Sequence, residues 1–119
     1  MFKVIVAGCR DFSDYEGLEK YLDYVFKDID KSELEIVCGC ARGADKLGSK
    51  YAENRGIKVS MFPADWDNYG KSAGYRRNAE MANYSDALVA FWDGKSKGTK
   101  HMIDLAKTKK LKIRIKYFK

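Results

Sequence analysis

Five short apolar runs alternate with four helical stretches along this chain. That alternation predicts an α/β three-layer sandwich, a five-stranded parallel sheet with helices on both faces. Two further observations support it. Glycine-bearing loops follow the first, second and fourth runs, where strands hand over to helices. The last run alternates apolar with basic residues, as an edge strand with one exposed face does.

Residues 2–7 are β-branched and apolar and read as strand one, followed by the loop Gly8-Cys9-Arg10-Asp11-Phe12. Across residues 14–29, Leu18, Tyr21, Leu22, Val25, Phe26 and Ile29 fall at helical intervals, with Ser13 or Asp14 placed to cap. Residues 34–38 form strand two, and 39–43 a second glycine loop. Residues 44–55 read as helix two, with Leu47, Tyr51 and Ala52 on one face and Gly56 as its stop. Strand three is 57–62. Residues 63–72 are irregular and hold the only proline together with Trp66, Tyr69 and Gly70. Helix three spans 73–82, strand four 87–92, helix four 98–107 and strand five 111–118. In the last, Ile113, Ile115 and Tyr117 alternate against Lys112, Arg114 and Lys116.

Right-handed crossovers leave two common doubly wound orders, 3-2-1-4-5 and 2-1-3-4-5. In either, ligands sit beyond the carboxyl ends of the strands. The order expected here is 3-2-1-4-5, because it sets the loops after strands one and four side by side, with the loop after strand two adjoining them.

The 119 residues suit one domain over residues 1–119; 45% are hydrophobic, enough for a core, and 34% are charged. No apolar run is long enough to span a membrane, and the apolar start is too short for a signal peptide, so a cytoplasmic protein is expected. Three cysteines, an odd number, do not form a disulfide framework, and with the single His101 no spacing resembles a zinc site. Neither a metal nor a cofactor is expected. The net charge of +6 favours anionic partners, although lysines crowded at the C-terminal end account for much of it as a solvated edge.

The stretch Ala87-Leu88-Val89-Ala90-Phe91-Trp92-Asp93-Gly94-Lys95-Ser96-Lys97-Gly98-Thr99 is the centre of the functional reading. A strand that runs through a Gly/Ser loop into a helix start is a device for holding anions, since the first helical N–H groups lack internal partners. An ordinary turn capped by Ser96 or Thr99 reads equally well from these residues alone. The Walker spacing is absent, and no G-x-G-x-x-G follows strand one, which argues against an ordinary ATPase or dehydrogenase. In Gly39-Cys40-Ala41-Arg42-Gly43-Ala44-Asp45, Gly39 and Gly43 let the backbone fold under a ligand and Arg42 can pair with a phosphate. Asp45 serves either a ribose hydroxyl or the helix dipole. Trp66 or Tyr69 either stacks on a base or pins its own loop. Arg77 is the better anion ligand of the Arg76-Arg77-Asn78 group, because it shares a helical face with Ala73, Asn78 and Met81. His101 reads as a surface residue.

Taken in order, Ala7-Gly8-Cys9-Arg10-Asp11-Phe12, Cys38 to Asp45, Pro63-Ala64-Asp65-Trp66, Ala73-Gly74-Tyr75-Arg76-Arg77-Asn78-x-x-Met81 and Ser96-Lys97-Gly98-Thr99 resemble the YspA-type branch of the SLOG superfamily. That superfamily gathers the Smf/DprA proteins and the LOG phosphoribohydrolases. The resemblance spans nearly the whole chain. It implies a Rossmann-like fold and a pocket for nucleotides or nucleotide-derived signals, and it favours a homo-oligomer. The LOG enzymes carry Gly-Gly-x-Gly-Thr-x-x-Glu and an arginine before a basic residue on an earlier helix. Here Gly98-Thr99 matches the Gly-Thr pair and Arg77 the arginine, but the glutamate position falls on Met102 and the basic one on Asn78. A thioether cannot replace a carboxylate that polarises ribose.

The expected function is therefore binding of a nucleotide or nucleotide-derived small molecule, as sensor, sponge or carrier, at the C-terminal edge of the sheet. Ser96, Gly98, Thr99 and the Gly8 loop would hold the phosphate, with Arg10, Arg42 and Arg77 neutralising it. Asp45 or Asp93 would take ribose or base hydrogen bonds, and Trp66 or Trp92 would stack. The first alternative is an N-glycosidic nucleotide hydrolase, with Asp93, Asp45 and Arg77 as its candidate catalytic residues. The second is nucleic-acid binding, as in DprA relatives. Tyr15, Tyr21 and Tyr24 on helix one offer a dimer face. No membrane partner is expected.

Overall fold

A computed structural model describes residues 1–39 and 43–118. The strands are β1 (Phe2–Gly8), β2 (Leu34–Cys38), β3 (Lys58–Met61), β4 (Ala87–Trp92) and β5 (Lys112–Tyr117), all parallel in the order β3-β2-β1-β4-β5. The helices are α1 (Tyr15–Val25), α2 (Ala44–Arg55), the single turn α3 (Trp66–Tyr69), α4 (Ala73–Tyr84) and α5 (Lys97–Thr108). The expected order is the observed one, and the fold is Rossmann-like.

Successive β1 side chains point to opposite faces. Val4 and Val6 join Leu18 and Leu22 of α1 and Tyr51 and Ala52 of α2 on one face. Ile5 and Ala7 join Met81 and Ala82 of α4 and Met102, Ile103 and Ala106 of α5 on the other. β1 is thus the central strand and the point where the chain changes direction, with α1 and α2 on one side and α4 and α5 on the other.

Most elements differ from the sequence reading by a residue or two at their ends; three differences are larger. The first helix stops at Val25, although Phe26 and Ile29 continue its apolar spacing. Phe26 stays buried against Tyr51, with ring centroids 6.4 Å apart, so packing preserves the period after the backbone has left the helix. The segment read as irregular contains α3, because Asp65 accepts from the Asn68 N–H at 3.2 Å and caps one turn. A 3₁₀ turn at Lys31–Glu33, capped by Asp30, leads into β2 and was not anticipated. Of the α1 tyrosines, Tyr24 is exposed, whereas Tyr15 and Tyr21 are half-buried against the core; Tyr21 meets Phe91 edge-on at 5.9 Å. They offer less of an exposed aromatic face than expected.

Glu35 is buried near the start of β2, only 1% exposed, opposite Lys58 of β3. Ser60 donates to its Oε2 at 2.7 Å, Tyr84 donates to the same oxygen, and the Lys58 ammonium lies 3.3 Å from Oε1. Burial pushes the Glu35 carboxyl up, but the hydrogen bonds from Tyr84, Ser60 and Lys58 outweigh it and hold it below the usual range. This cluster ties β2, β3 and α4 together away from the strands' carboxyl ends.

Gly8 closes the sheet at the opposite end. A Cβ there would lie 2.8 Å from the Ala44 Cβ and closer still to the Phe91 carbonyl oxygen. Gly8→Ala is therefore expected to cost ~3 kcal/mol of stability, read as a lowered urea midpoint at unchanged slope. For Glu35, a depressed native pKa contributes stability above the unfolded value of about 4.3, lost as the pH falls through the native value. Glu35→Gln should destabilise by about 1–3 kcal/mol at neutral pH. Its gap to the wild type should narrow in urea titrations below about pH 4; a constant gap would show that the carboxylate charge contributes nothing.

Candidate functional site

The carboxyl ends of β1 and β4 open into a cavity of about 610 Å³. Its lining comes from the Gly8 loop, the first turn of α5, the facing side of α4, and Asp45 of α2. Two of the three glycine loops expected to converge, those after β1 and β4, thus border one space.

The floor at α5 is built by its own cap. Ser96 is the N-cap, and its Oγ accepts from the Thr99 N–H at 3.5 Å and lies 3.2 Å from the Thr99 Oγ1. Asp93 Oδ1 accepts from the N–H groups of Lys95 and Ser96 at 2.8 and 2.9 Å, folding the preceding loop. Those bonds, from Ser96 first and Lys95 second, hold the exposed Asp93 carboxyl below its usual range. The N–H groups of Lys97 and Gly98 have no intrahelical acceptor, as in the first turn of any helix, and carry its positive end. Nothing lies within 4 Å of where a Gly98 Cβ would stand. The protein itself does not require glycine there.

Of the second glycine loop, Gly39 and Gly43 are among the described residues, and neither lines the cavity. The Cys9 carbonyl accepts from Phe12 N–H at 3.1 Å and from Ala44 N–H at 3.4 Å, while Cys9 N–H donates to the Phe91 carbonyl at 3.1 Å. Gly43, with φ +82°, packs under this junction. The start of α2 is therefore partly occupied by the protein's own carbonyl, and Gly43 is a packing element. Gly39 is one too. A Cβ there would stand 2.6 Å from Arg77 Nη1 and 2.8 Å from Asp45 Oδ2, so its absence lets both charged groups come up against the end of β2. Arg77 Nη1 donates to the Gly39 carbonyl, and Arg77 Nε donates to Asn78 Oδ1 at 3.0 Å. Asp45 is 5% exposed and Asn78 8%, yet both still border the cavity. Arg42 lies outside the described residues.

Trp66 lines the cavity with half its surface exposed, and its ring packs toward Gly74. Tyr69, equally exposed, stands away from the lining with the Arg76 guanidinium 4.3 Å over its ring. Trp92 is turned aside. Its ring lies 5.7 Å from Tyr117, and its Nε1 donates to the Ser96 carbonyl at 3.1 Å. It braces the loop and is not placed to stack on a ligand in the cavity. Lys71, Tyr75 and Lys95 border the cavity and were not singled out from sequence. Their signal was available, since each sits within a few residues of a helix start that faces the crest.

Arg10, Lys71, Arg77 and Lys95 oppose Asp11, Asp45 and Asp93 around the rim. Among the described residues the cup is close to charge-balanced and not uniformly positive. Met102 stands in the cavity wall, 1% exposed and continuous with the core, so this position supplies apolar surface. Cys9 is 4% exposed with its Sγ 3.9 Å from Thr99 Oγ1. Burial pushes its thiol pKa up, so the group stays protonated and is a poor nucleophile. Among the described residues, no group of His, Cys, Asp and Glu is arranged to hold a metal ion, and no helix is long and apolar enough to cross a membrane.

Comparison with known proteins adds three findings. DNA processing protein A (DprA) from Streptococcus pneumoniae superposes with a TM-score of 0.78 at 19% identity, over 97% of this chain and 50% of that one. The likeness is one of fold, and this chain spans half the length of that protein. The Gene 61 protein of Mycobacterium phage D29 is 33% identical over 109 residues, 85% of each chain. The family described as YspA, cpYpsA-related SLOG matches residues 2–69, from β1 through α3. With more than half its length matched, this chain belongs to the YspA, cpYpsA-related SLOG family.

Proposed function

We propose that the chain binds a nucleotide or nucleotide-derived small molecule in the cavity at the carboxyl ends of β1 and β4. One observation carries the reading: within about 610 Å³ a helix N-terminus, four basic side chains, a half-exposed tryptophan and buried Asp45 border the same space. That volume is in the range of small-molecule sites. The phosphate goes to the first turn of α5 and to Arg77 and Arg10, where N–H dipoles and guanidinium groups meet it. Asp45 or Asp93 takes hydroxyl or base-edge donors, and Trp66 offers a stacking face.

The same arrangement supports hydrolysis of an N-glycosidic bond less well. Met102 occupies the wall where the LOG enzymes place a glutamate, and the loop N–H groups already engage Asp93. Binding to single-stranded nucleic acid draws on the half-exposed Trp66, Tyr69 and Tyr75 beside Lys71 and Arg76. That reading predicts a steep loss of affinity with salt.

A thermal-shift panel of AMP, GMP, ADP-ribose, cyclic AMP and cyclic di-AMP tests the proposal. A ligand at about 100 times its Kd adds roughly 2.7 kcal/mol, on the order of 10 °C in Tm for a chain this size. No shift with any member at millimolar concentration would remove the reading. Release of free base from AMP or GMP, lost in Asp45→Asn or Asp93→Asn, would favour the hydrolase instead. Gly98→Ala separates folding from binding. It should leave the protein as stable or up to about 1 kcal/mol more stable, because a helical glycine is replaced in open space. It should also weaken every panel member that binds, because the new methyl group covers the first-turn N–H groups. Unchanged affinity would place the phosphate elsewhere.

A further inference from the structure

His101 contributes nothing to the cavity's lining, yet it is joined to it. Its Nδ1 lies 3.2 Å from Asn78 Nδ2, and the other end of that amide accepts from Arg77 Nε. The roles in this chain are forced. An arginine Nε can only donate, so the atom facing it must be the Asn78 oxygen. The Asn78 NH₂ then faces His101, so Nδ1 must accept, and the ring must be neutral with its proton on Nε2. Arg77 completes the chain by donating to the Gly39 carbonyl.

We infer that neutral His101 is a positioning residue for Arg77: through Asn78 it fixes the guanidinium at the cavity, so that ligand binding weakens when the imidazole takes up a proton. The inference rests on the reading that Arg77 meets the ligand's anionic group. A proton on Nδ1 sets donor against donor. Turning the Asn78 amide over restores that contact but sets its NH₂ against Arg77 Nε, so no orientation satisfies both neighbours. Asn78 is 8% exposed and has little water to turn to.

The surroundings keep the ring neutral at ordinary pH. Burial holds the imidazole below its usual range, against the opposing pull of Asp104 one turn along α5. That carboxylate is engaged by Lys100 at 2.8 Å. Lys97 and Lys100 border the same shallow groove, Tyr75 of α4 packs edge-on against the ring at 4.5 Å, and Arg77 lies one amide away. Burial therefore outweighs the single carboxylate and disfavours the imidazolium. The loss of binding therefore falls below the ordinary histidine value of about 6.5.

The test is NMR on the isotope-labelled full chain between about pH 8 and about pH 5, with calorimetry of the nucleotide panel over the same range. The neutral ring is expected as the Nε2–H tautomer. The Arg77 Nε–H signal, slow to exchange with water at high pH, should fade with the midpoint of His101. His101→Gln supplies a carbonyl that accepts from Asn78 at any pH, so it should preserve the Arg77 signal throughout; His101→Phe should lose it throughout. Wild-type affinity should fall about tenfold more than that of His101→Gln between these limits. Comparing the two proteins at each pH cancels the ligand's own titration. If the tautomer is Nδ1–H, if the Arg77 signal ignores the His101 titration, or if both proteins lose affinity alike, the inference is overturned. If the coupling holds but no panel member binds at high pH, the nucleotide reading fails and so does its regulation, while the His101–Arg77 link itself stands.

Discussion

The backbone around Cys9 has to be bare on one side. β1 is flanked by β2 and β4, and its end must also receive the start of α2. Only a residue without a side chain allows the Phe91 carbonyl and Ala44 to approach Gly8 as they do. Once they approach, one Cys9 carbonyl serves both its own loop and the first N–H of α2, and the Cys9 N–H anchors to β4. Three segments far apart in sequence are stitched at a single residue. The cavity is the space left above that stitch, bounded by α4 and α5, which pack on the other face of the sheet.

That construction divides the glycines by purpose. Gly8, Gly39 and Gly43 are absences of side chain that the protein itself needs, because backbone or charged groups fill the space. Gly98 is different, for the space above it is open and faces the cavity. A motif that looks uniform in sequence thus holds two kinds of position, one serving packing and the other leaving a helix terminus uncovered. The near balance of charge fits the same division. Arg77 and Asp45 flank Gly39 and offset one another, which lowers the cost of holding both near the core. Met102 adds apolar surface to the wall and leaves the helix terminus as an electrostatic feature of it.

Much of the architecture was legible because its signals are local. Val4 to Ala7 and Ala87 to Trp92 are apolar, and Leu34 to Cys38 is apolar but for Glu35, in runs too short for helices, and each became an inner strand. The alternation in β5 marked an edge strand, and Gly56, in the left-handed region at φ +68°, ends α2 where expected. The order of the sheet followed from handedness and from the loops that had to meet. Less was legible where packing continues a pattern that the backbone abandons, as at Phe26. The same holds where one capping residue, Asp65, makes a helical turn in a stretch otherwise rich in breakers. Trp92 was misjudged for a related reason. Its place at a strand end was plain, but the direction of its ring depended on Tyr117 in a strand not yet formed.

By itself the sequence determined the five strands, the four long helices, the crest at which the chain's chemistry gathers and the family resemblance. Each of these rests on spacing along the chain or on residue types in order. Only the tertiary structure decided what the charged groups do. Glu35 finds Tyr84, Arg77 finds the Gly39 carbonyl, and Asn78 finds His101, all across tens of residues. A hydrogen bond is made within about 3 Å, and no pattern along a chain specifies which distant donor will arrive there. Packing two helices against one face of a twisted sheet does specify it, because it fixes both ends at once.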